Sequence, residues 1–250
     1  MRPDWIDLDG TANTRDIGGL PTAGGSGTAS RRLLRSDSLQ DLSPADVRRL
    51  VEDYGVRVIA DLRAGFEVTA TGPGPMTREP AVGITHLSLF PAHDDHVVPP
   101  WERRPTAGRG FAGLYLGFLA DRPDSVLAAL RLIAHGDGAT VVHCTGGKDR
   151  TGVVVALALA SVGVQRAAIV ADYAASADHY DALRARLAPA TRGNRKLSEA
   201  AALKHLPRAI TMERFLDGLA EKAGGAGPWL AAHGWTPADD AALRRKLLSD

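Results

Sequence analysis

The sequence predicts an α/β fold, and three observations predict it. Short runs rich in β-branched residues, at 56–62, 84–89 and 140–144, read as buried strands, and they alternate with longer segments whose apolar residues recur at helical spacing. Glycines and prolines punctuate the joints between these runs. A composition of 44% hydrophobic and 24% charged residues over 250 positions is that of a chain able to bury a sizeable core.

From the amino terminus, residues 13–39 read as a hairpin. Asp16-Ile17-Gly18-Gly19-Leu20 runs into the turn Ala23-Gly24-Gly25-Ser26-Gly27, and Arg31-Arg32-Leu33-Leu34-Arg35 returns. Gly18 and Gly19 within a strand pattern indicate a bulge or a close backbone approach. Ser43 is placed to cap a helix with Pro44 at its first position, Val47, Leu50, Val51 and Tyr54 line one face, and Gly55 ends it. The strand at 56–62 closes on Asp61-Leu62-Arg63, and Arg63 and Glu67, four apart, read most simply as an ion pair. Residues 71–83 read as loop, 84–89 as a second buried strand, and 90–110 as a mobile surface loop holding His93-Asp94-Asp95-His96 and Trp101.

Helices are predicted over 111–119 and 123–135, the second with Asp121 as a plausible cap. A strand at 140–144 precedes a long apolar helix that Gly163 stops. Residues 166–187 carry a helical pattern, 189–196 a polar hinge candidate, and 209–219 another helix, broken at Gly224-Gly225. Thr236 and Pro237 cap the last one.

Bulk properties exclude several functions. A net charge of +1 gives no global field for nucleic acid. One cysteine rules out an internal disulfide framework and a multi-cysteine zinc site, and fits a reducing compartment. The amino terminus carries no apolar signal-peptide core, and the longest apolar run, 153–164, is about 12 residues, short of the roughly 20 a membrane span needs. The expectation is a cytoplasmic protein without stable membrane insertion, with export lacking a recognisable signal left open.

The lone cysteine sits in Val141-Val142-His143-Cys144-Thr145-Gly146-Gly147-Lys148-Asp149-Arg150-Thr151-Gly152. An isolated cysteine at a strand end is ordinarily a small buried hydrophobe, but this one belongs to a pattern. A strand feeding a glycine-bearing turn into a helix N-terminus is an anion site, because the first amides of a helix lack partners and carry partial positive charge. Gly146 and Gly147 can take φ > 0, so that successive N–H groups from Thr145 to Lys148 curl inward. Arg150 can grip two phosphate oxygens at once and stays charged. The same field lowers the pKa of a thiol at the bottom of the cradle, so Cys144 can act as a nucleophile. His143 is read as fixing the loop and tuning the thiol, and Thr151 as donating its hydroxyl to the sulfur. The implied reaction has two steps through a phosphocysteine, with an acid for the leaving oxygen and then a base for water.

At His143, Cys144, Arg150 and Thr151 the chain resembles the protein-tyrosine phosphatase superfamily, whose signature is H-C-x5-R-[ST]. Gly147-Lys148-Asp149-Arg150-Thr151-Gly152 is similar to a bacterial branch typified by the mycobacterial protein-tyrosine phosphatase B. Asn13-x-Arg15-Asp16-x-Gly18-Gly19, Arg35-Ser36-Asp37-x-Leu39, Asp61-Leu62-Arg63 with Glu67, Ile169-Val170-Ala171-Asp172-Tyr173 and Arg214-Phe215-Leu216-Asp217 fit the same branch. The resemblance implies a single α/β domain over 1–250, a mostly parallel central sheet flanked by helices, a phosphate-binding loop, and a helical lid at about 174–208. It implies hydrolysis, without cofactor or metal, of phosphotyrosine, sometimes phosphoserine or phosphothreonine, and phosphoinositides.

Many members of the superfamily carry their acid on a Trp-Pro-Asp triplet, which is absent here. The branch resemblance puts the acid at Asp149, where like-charge repulsion from phosphate would favour protonation. Asp61 is second, and Asp94 or Asp95 third. Lys148 is implied to contact a second phosphate, as on an inositol ring. Arg184, Arg186, Arg192, Arg195, Lys196, Lys204 and Arg208 make the lid region basic, mostly as solvated charge. Arg15-Asp16 and Arg35-Ser36-Asp37 read as structural supports. His93–His96 as a metal site, and Gly146-Gly147-Lys148 as an ATP loop, are set aside: adjacent loop ligands usually mark surface, and the flanking residues are wrong for the ATP motif. Competing readings are a phosphoinositide-only phosphatase, a catalytically inactive phosphate-binding module, and sulfur or arsenate chemistry on the same loop.

Overall fold

The computed structural model describes residues 3–91, 110–187 and 205–249. Its centre is a six-stranded sheet of β1 (Asp4–Trp5), β2 (Arg15–Asp16), β3 (Leu33–Ser36), β4 (Val56–Asp61), β5 (Gly83–His86) and β6 (Ala139–His143), in the spatial order β1-β2-β3-β6-β4-β5. β1 and β2 pair antiparallel at one side, and β3, β6, β4 and β5 run parallel. β2 and β3 are the legs of the predicted hairpin, with Arg15 opposite Arg35. β6 enters last and lies in the middle, with His143 in register with Ser36 of β3 and Asp61 of β4. The carboxyl end of β6 thus opens between two other strand ends, the place where open α/β sheets build their sites.

Period-two alternation divides the side chains between two cores. Leu33, Ala60 and Val142 face one, and Leu34, Ile59 and Val141 face the other. The larger core is filled by α3 (Gly110–Asp121), α4 (Pro123–His135), α5 (Asp149–Ser161), α6 (Arg166–Ala175) and α8 (Ala209–Ala223). The smaller is closed by Ile6, Leu8 and α1 (Pro44–Arg48), which starts from a Ser43–Asp46 capping box and passes into a wider turn over Arg49–Asp53. α5 is buried on nearly every side, as a helix in the middle of a core must be. α9 (Ala226–Ala232) and α10 (Pro237–Leu247) complete the chain. Asp239 of the Thr236 capping box also meets His135 at 2.7 Å and Arg131 at 3.3 Å, tying α10 to α4.

Four expectations change. β5 is an exposed edge strand, not a buried one, because nothing pairs with its outer side among the described residues. Residues 65–71 form a helix, α2 (Gly65–Thr71), and the expected loop after it contains a helical turn at Pro75–Arg78. Asp121 ends α3 and caps nothing; Arg122 stands at the start of α4. The pattern over 166–187 is two helices, since the chain turns between α6 and α7 (Tyr180–Leu187). Among the described residues no helix is long and apolar enough to cross a membrane.

Candidate active site

Between the end of β6 and the start of α5 the chain makes one loop, and its carbonyls are turned outward. Thr145 O accepts from the Ser38 amide at 3.2 Å, Gly146 O from Asn13 Nδ2 at 3.0 Å, and Gly147 O from Arg35 Nη2 at 2.8 Å. In a planar trans peptide the following N–H points opposite to the carbonyl, and no peptide here is cis. The amides of Gly146, Gly147 and Lys148 therefore turn to the inner side of the loop, over the N-terminus of α5. That arrangement is a nest for an anion. Only Gly147 is left-handed, at φ 65°, and a Cβ on it would overlap the Ser36 carbonyl and the Asp37 amide. Gly146 is not, contrary to expectation; a Cβ there would make ordinary contact with Leu183 of α7 at 3.6 Å.

Two of these three donors are held by one buried carboxylate, Arg35 directly and Asn13 through Arg15. Asp172 of α6 accepts from Arg15 Nε at 2.8 Å and Arg35 Nη1 at 2.5 Å, and both arginines are 0% exposed. Arg15 also reaches the Asp172 carbonyl, Ser176 and the Asn13 side chain. Burial and the neighbouring Arg35 bring Arg15 down to about 10. Burial would raise the Asp172 pKa, but the two arginines hold it below its ordinary value. Asp37 accepts the amides of Ala12 and Asn13 and faces Arg186 of α7 at 3.4 Å; burial pushes its pKa up. Asp16 folds the hairpin instead, accepting from Gly18 and Arg31.

A second cluster grips Arg150. Glu67 of α2 takes Arg150 Nη1 on Oε2 and Nη2 on Oε1, the latter at 2.9 Å, and also accepts from the Thr145 hydroxyl and the Ala64 amide. The predicted Arg63–Glu67 pair does not form: Arg63 makes a two-pronged pair with Asp61 instead. Burial works against both charges of the Arg150–Glu67 pair, yet each is stabilised by the other, so Arg150 is raised and Glu67 lowered. Asp61 has no proton to give: burial would raise its pKa, but Arg63 and His143 hold it at about 2. His143, fully enclosed, is pushed by burial down to about 4 and stands neutral 3.6 Å from Asp61. Phe90 covers the Arg150 guanidinium at 5.0 Å.

Cys144, 2% exposed, lies at the bottom of the loop. The Thr151 hydroxyl, also buried, finds no partner among the described residues, so the predicted bond to sulfur is not made. Asp149 is not favoured as a neutral acid here. Burial would raise its pKa, but the Lys148 ammonium at 2.7 Å and the Tyr115 hydroxyl at 2.5 Å outweigh that and lower it. Lys148 also stands 5.5 Å from the Phe111 ring centre. Of the basic residues downstream, Arg186 pairs with Asp37 and Asp41 and Arg184 with Asp181. His93, Asp94, Asp95, His96, Trp101, Arg192, Arg195, Lys196, Lys204 and the hinge candidate at 189–196 lie outside the described residues.

The contacts that the sequence does not show act across long separations. Glu67 meets Arg150 over 83 positions and Asp172 meets Arg15 over 157, so no local spacing signals either contact. Tyr115, which touches Asp149, reads in sequence as one apolar position of a helix.

A family model described as "Tyrosine phosphatase family" matches residues 6–249. The chain is 32% identical over 220 residues to a protein of Mycobacterium tuberculosis named triple specificity protein phosphatase PtpB, covering 72% of each. It is 33% identical over 170 residues to a putative tyrosine-protein phosphatase of Cupriavidus necator, covering 67% of this chain and 61% of that one. With a tyrosine-protein phosphatase of Nostoc commune it shares 32% identity over 148 residues, 59% of this chain and 48% of that one.

Proposed function

The chain belongs to the tyrosine phosphatase family, a family of phosphoric monoester hydrolases, and from that premise we propose that Cys144 is the nucleophile, Arg150 the phosphate clamp and Asp149 the acid of a two-step hydrolysis. The observation that carries this reading is the pairing of a buried thiol at the loop floor with a guanidinium locked in two-pronged contact with Glu67. No acceptor among the described residues takes the Arg150 Nε hydrogen, which leaves an edge for phosphate oxygens.

In the first step the Cys144 thiolate bonds to phosphorus as the bond to the leaving oxygen breaks, and Asp149 protonates that oxygen. In the second, Asp149 takes a proton from water, the water oxygen bonds to phosphorus, the S–P bond breaks and inorganic phosphate leaves. Arg150 and the inward amides of Gly146, Gly147 and Lys148 hold the equatorial oxygens, with Thr145 fixed to Glu67 beside them. His143, Thr151 and Asp61 support the loop. Before substrate arrives Asp149 is ionised against Lys148. A phosphate dianion draws the ammonium away and repels the carboxylate, and both changes raise its affinity for a proton. The reaction calls on no metal or cofactor.

The substrate range we propose is phosphotyrosine, together with phosphoserine or phosphothreonine and phosphoinositides. Lys148 beside the nest, and the triple specificity in the name of the mycobacterial relative, support that breadth. We read 1–250 as one domain in which about 174–208 covers the site, because α7 brings Leu183 against Gly146 and Arg186 against Asp37 while Cys144 stays enclosed.

Purified protein is expected to hydrolyse an aryl phosphate without added metal, and Cys144→Ser to abolish it; turnover retained in that variant would remove the mechanism. A panel of phosphopeptides and phosphoinositides then sets the range. Turnover of lipid headgroups alone favours the phosphoinositide-only reading, and phosphate binding without turnover favours a binding module.

A further inference from the structure

One hydrogen bond on Asp149 comes from outside the loop. Tyr115, in the middle of α3 and 0% exposed, places its hydroxyl 2.5 Å from Asp149 Oδ1 and 2.7 Å from the hydroxyl of Tyr173 on α6. Lys148 Nζ holds the other carboxylate oxygen, Oδ2. We propose that Tyr115, backed by Tyr173, is a positioning residue that pins Oδ1 of Asp149, so that Oδ2 carries the proton to the leaving group and the hydroxyl pair sets the pH range of that delivery. This rests on the assignment of Asp149 as the acid.

The direction of the chain follows from donor counting. An ionised carboxylate only accepts, so the Tyr115 hydroxyl donates to Oδ1, and the Tyr115 oxygen is left to accept from Tyr173. The run Tyr173 to Tyr115 to Asp149 has a single sense, and each bond strengthens the next. Burial first, and the Asp149 charge second, raise both phenols above their ordinary value, so they act as donors and never as bases.

Packing rather than the hydrogen bond fixes the Tyr115 ring. It lies 6.1 Å from the Phe118 and Tyr173 rings and 6.0 Å from Phe215. A phenylalanine would fill that space, and a buried hydroxyl is costly without a partner, so the oxygen is explained by what it touches. The two donors to Asp149 also differ. Lys148 is a flexible cation that phosphate can recruit, while Tyr115 is rigid and neutral and stays when the ammonium moves. The other groups that face Asp149 are Arg150 on its own helix, Tyr180 from α7 and His205 before α8, and none of them is hydrogen-bonded to it.

The test is the pH dependence of kcat for phenyl phosphate, which needs its leaving oxygen protonated, beside p-nitrophenyl phosphate, which needs it less. Tyr115→Phe removes a donor to the carboxylate, which raises the Asp149 pKa. Since the acid must be protonated, the alkaline limb for phenyl phosphate is expected to move up by roughly one pH unit. Its kcat is expected to fall roughly tenfold with a smaller loss on p-nitrophenyl phosphate, as misorientation of an acid demands. Tyr173→Phe should shift the limb the same way by less, and it decides the matter if Tyr115→Phe does not fold. A uniform loss on both substrates with the limb unmoved overturns the inference, since a packing defect does just that. Asp149→Asn separates the two readings. If it leaves the limb in place, the acid assignment falls and this inference with it; if it removes the limb while neither tyrosine variant moves it, only this inference falls.

Discussion

Two ion pairs flank the same loop, and they are built differently. Arg150–Glu67 is two-pronged, its side chains are 8% and 9% exposed, and Glu67 is saturated by two further donors, Thr145 and Ala64. Lys148–Asp149 is a single contact between neighbours in sequence, 12% and 25% exposed, with one rigid donor behind it. The first resists exchange, because breaking it strands a charge in the interior. The second can trade partners with an arriving dianion at little cost. The contrast teaches how one loop is rigid where it must bind phosphate and adjustable where a proton must move. The rigid half extends beneath the sheet, through Arg35 and Arg15 to Asp172.

The largest test of that contrast is Asp172→Ala. It leaves two fully buried guanidiniums without a counter-charge, and a loss of about 3–5 kcal/mol in urea unfolding is expected. A loss under about 1 kcal/mol would mean that the bracket under the loop is dispensable. Acid should also act on the rigid half first. His143 is held at about 4 in the fold against an ordinary 6.5, so between those values the unfolded chain binds more protons and stability falls as pH falls. The loss by pH 4 is about 3 kcal/mol. Asp61, held at about 2 against 3.8, adds a further loss below pH 3.8. Unfolding measured at pH 7, 5 and 4 checks the slope, and His143→Gln should flatten it between pH 6.5 and 4.

Next in size is Glu67→Gln, which keeps the shape and removes the charge that orients Arg150. About a 100-fold loss of kcat/KM on an aryl phosphate is expected from a clamp displaced by an ångström or less. An unchanged rate would show that Arg150 is positioned by the Leu62 carbonyl and the Phe90 ring instead.

How much of this was legible in the sequence follows the same division. The strand and the helix around Cys144 are local, and so are the left-handed turn at Gly147 and the Ser43 and Thr236 caps; each reads correctly from spacing, whereas Gly146 does not take the positive φ expected of it. β5 misled because its β-branched run looks the same at an edge as in a centre, and only pairing decides. Arg63 and Glu67 misled because four-residue spacing pairs side chains only along one helix, and Arg63 precedes α2. The expected Thr151–sulfur bond is not made, because it depends on what stands opposite the hydroxyl. The protonation expected of Asp149 comes from repulsion by phosphate, and spacing does not show that Lys148 and Tyr115 lower its pKa before substrate arrives. Arg35, read as a support, turned out to be the donor that holds Gly147.

The smallest effect on stability is expected at Lys148, and it sharpens the comparison most. Lys148→Met keeps the stem against Phe111 and removes the ammonium, and a partly exposed single-contact pair is worth at most about 1 kcal/mol to the fold. Its effect on Asp149 has a definite sign. Lys148 is the chief cation holding that carboxyl down, so its loss raises the Asp149 pKa and moves the alkaline limb of kcat upward, in the same direction as Tyr115→Phe. The two variants part on binding. An ammonium that leaves Asp149 for phosphate also contributes to KM, whereas a buried hydroxyl does not. Lys148→Met should therefore raise KM, more for a substrate with two adjacent phosphates than for phosphotyrosine, while Tyr115→Phe leaves KM near the parent value. Equal changes in KM for both variants would show that the pair moves as a unit and that the loop has no adjustable half.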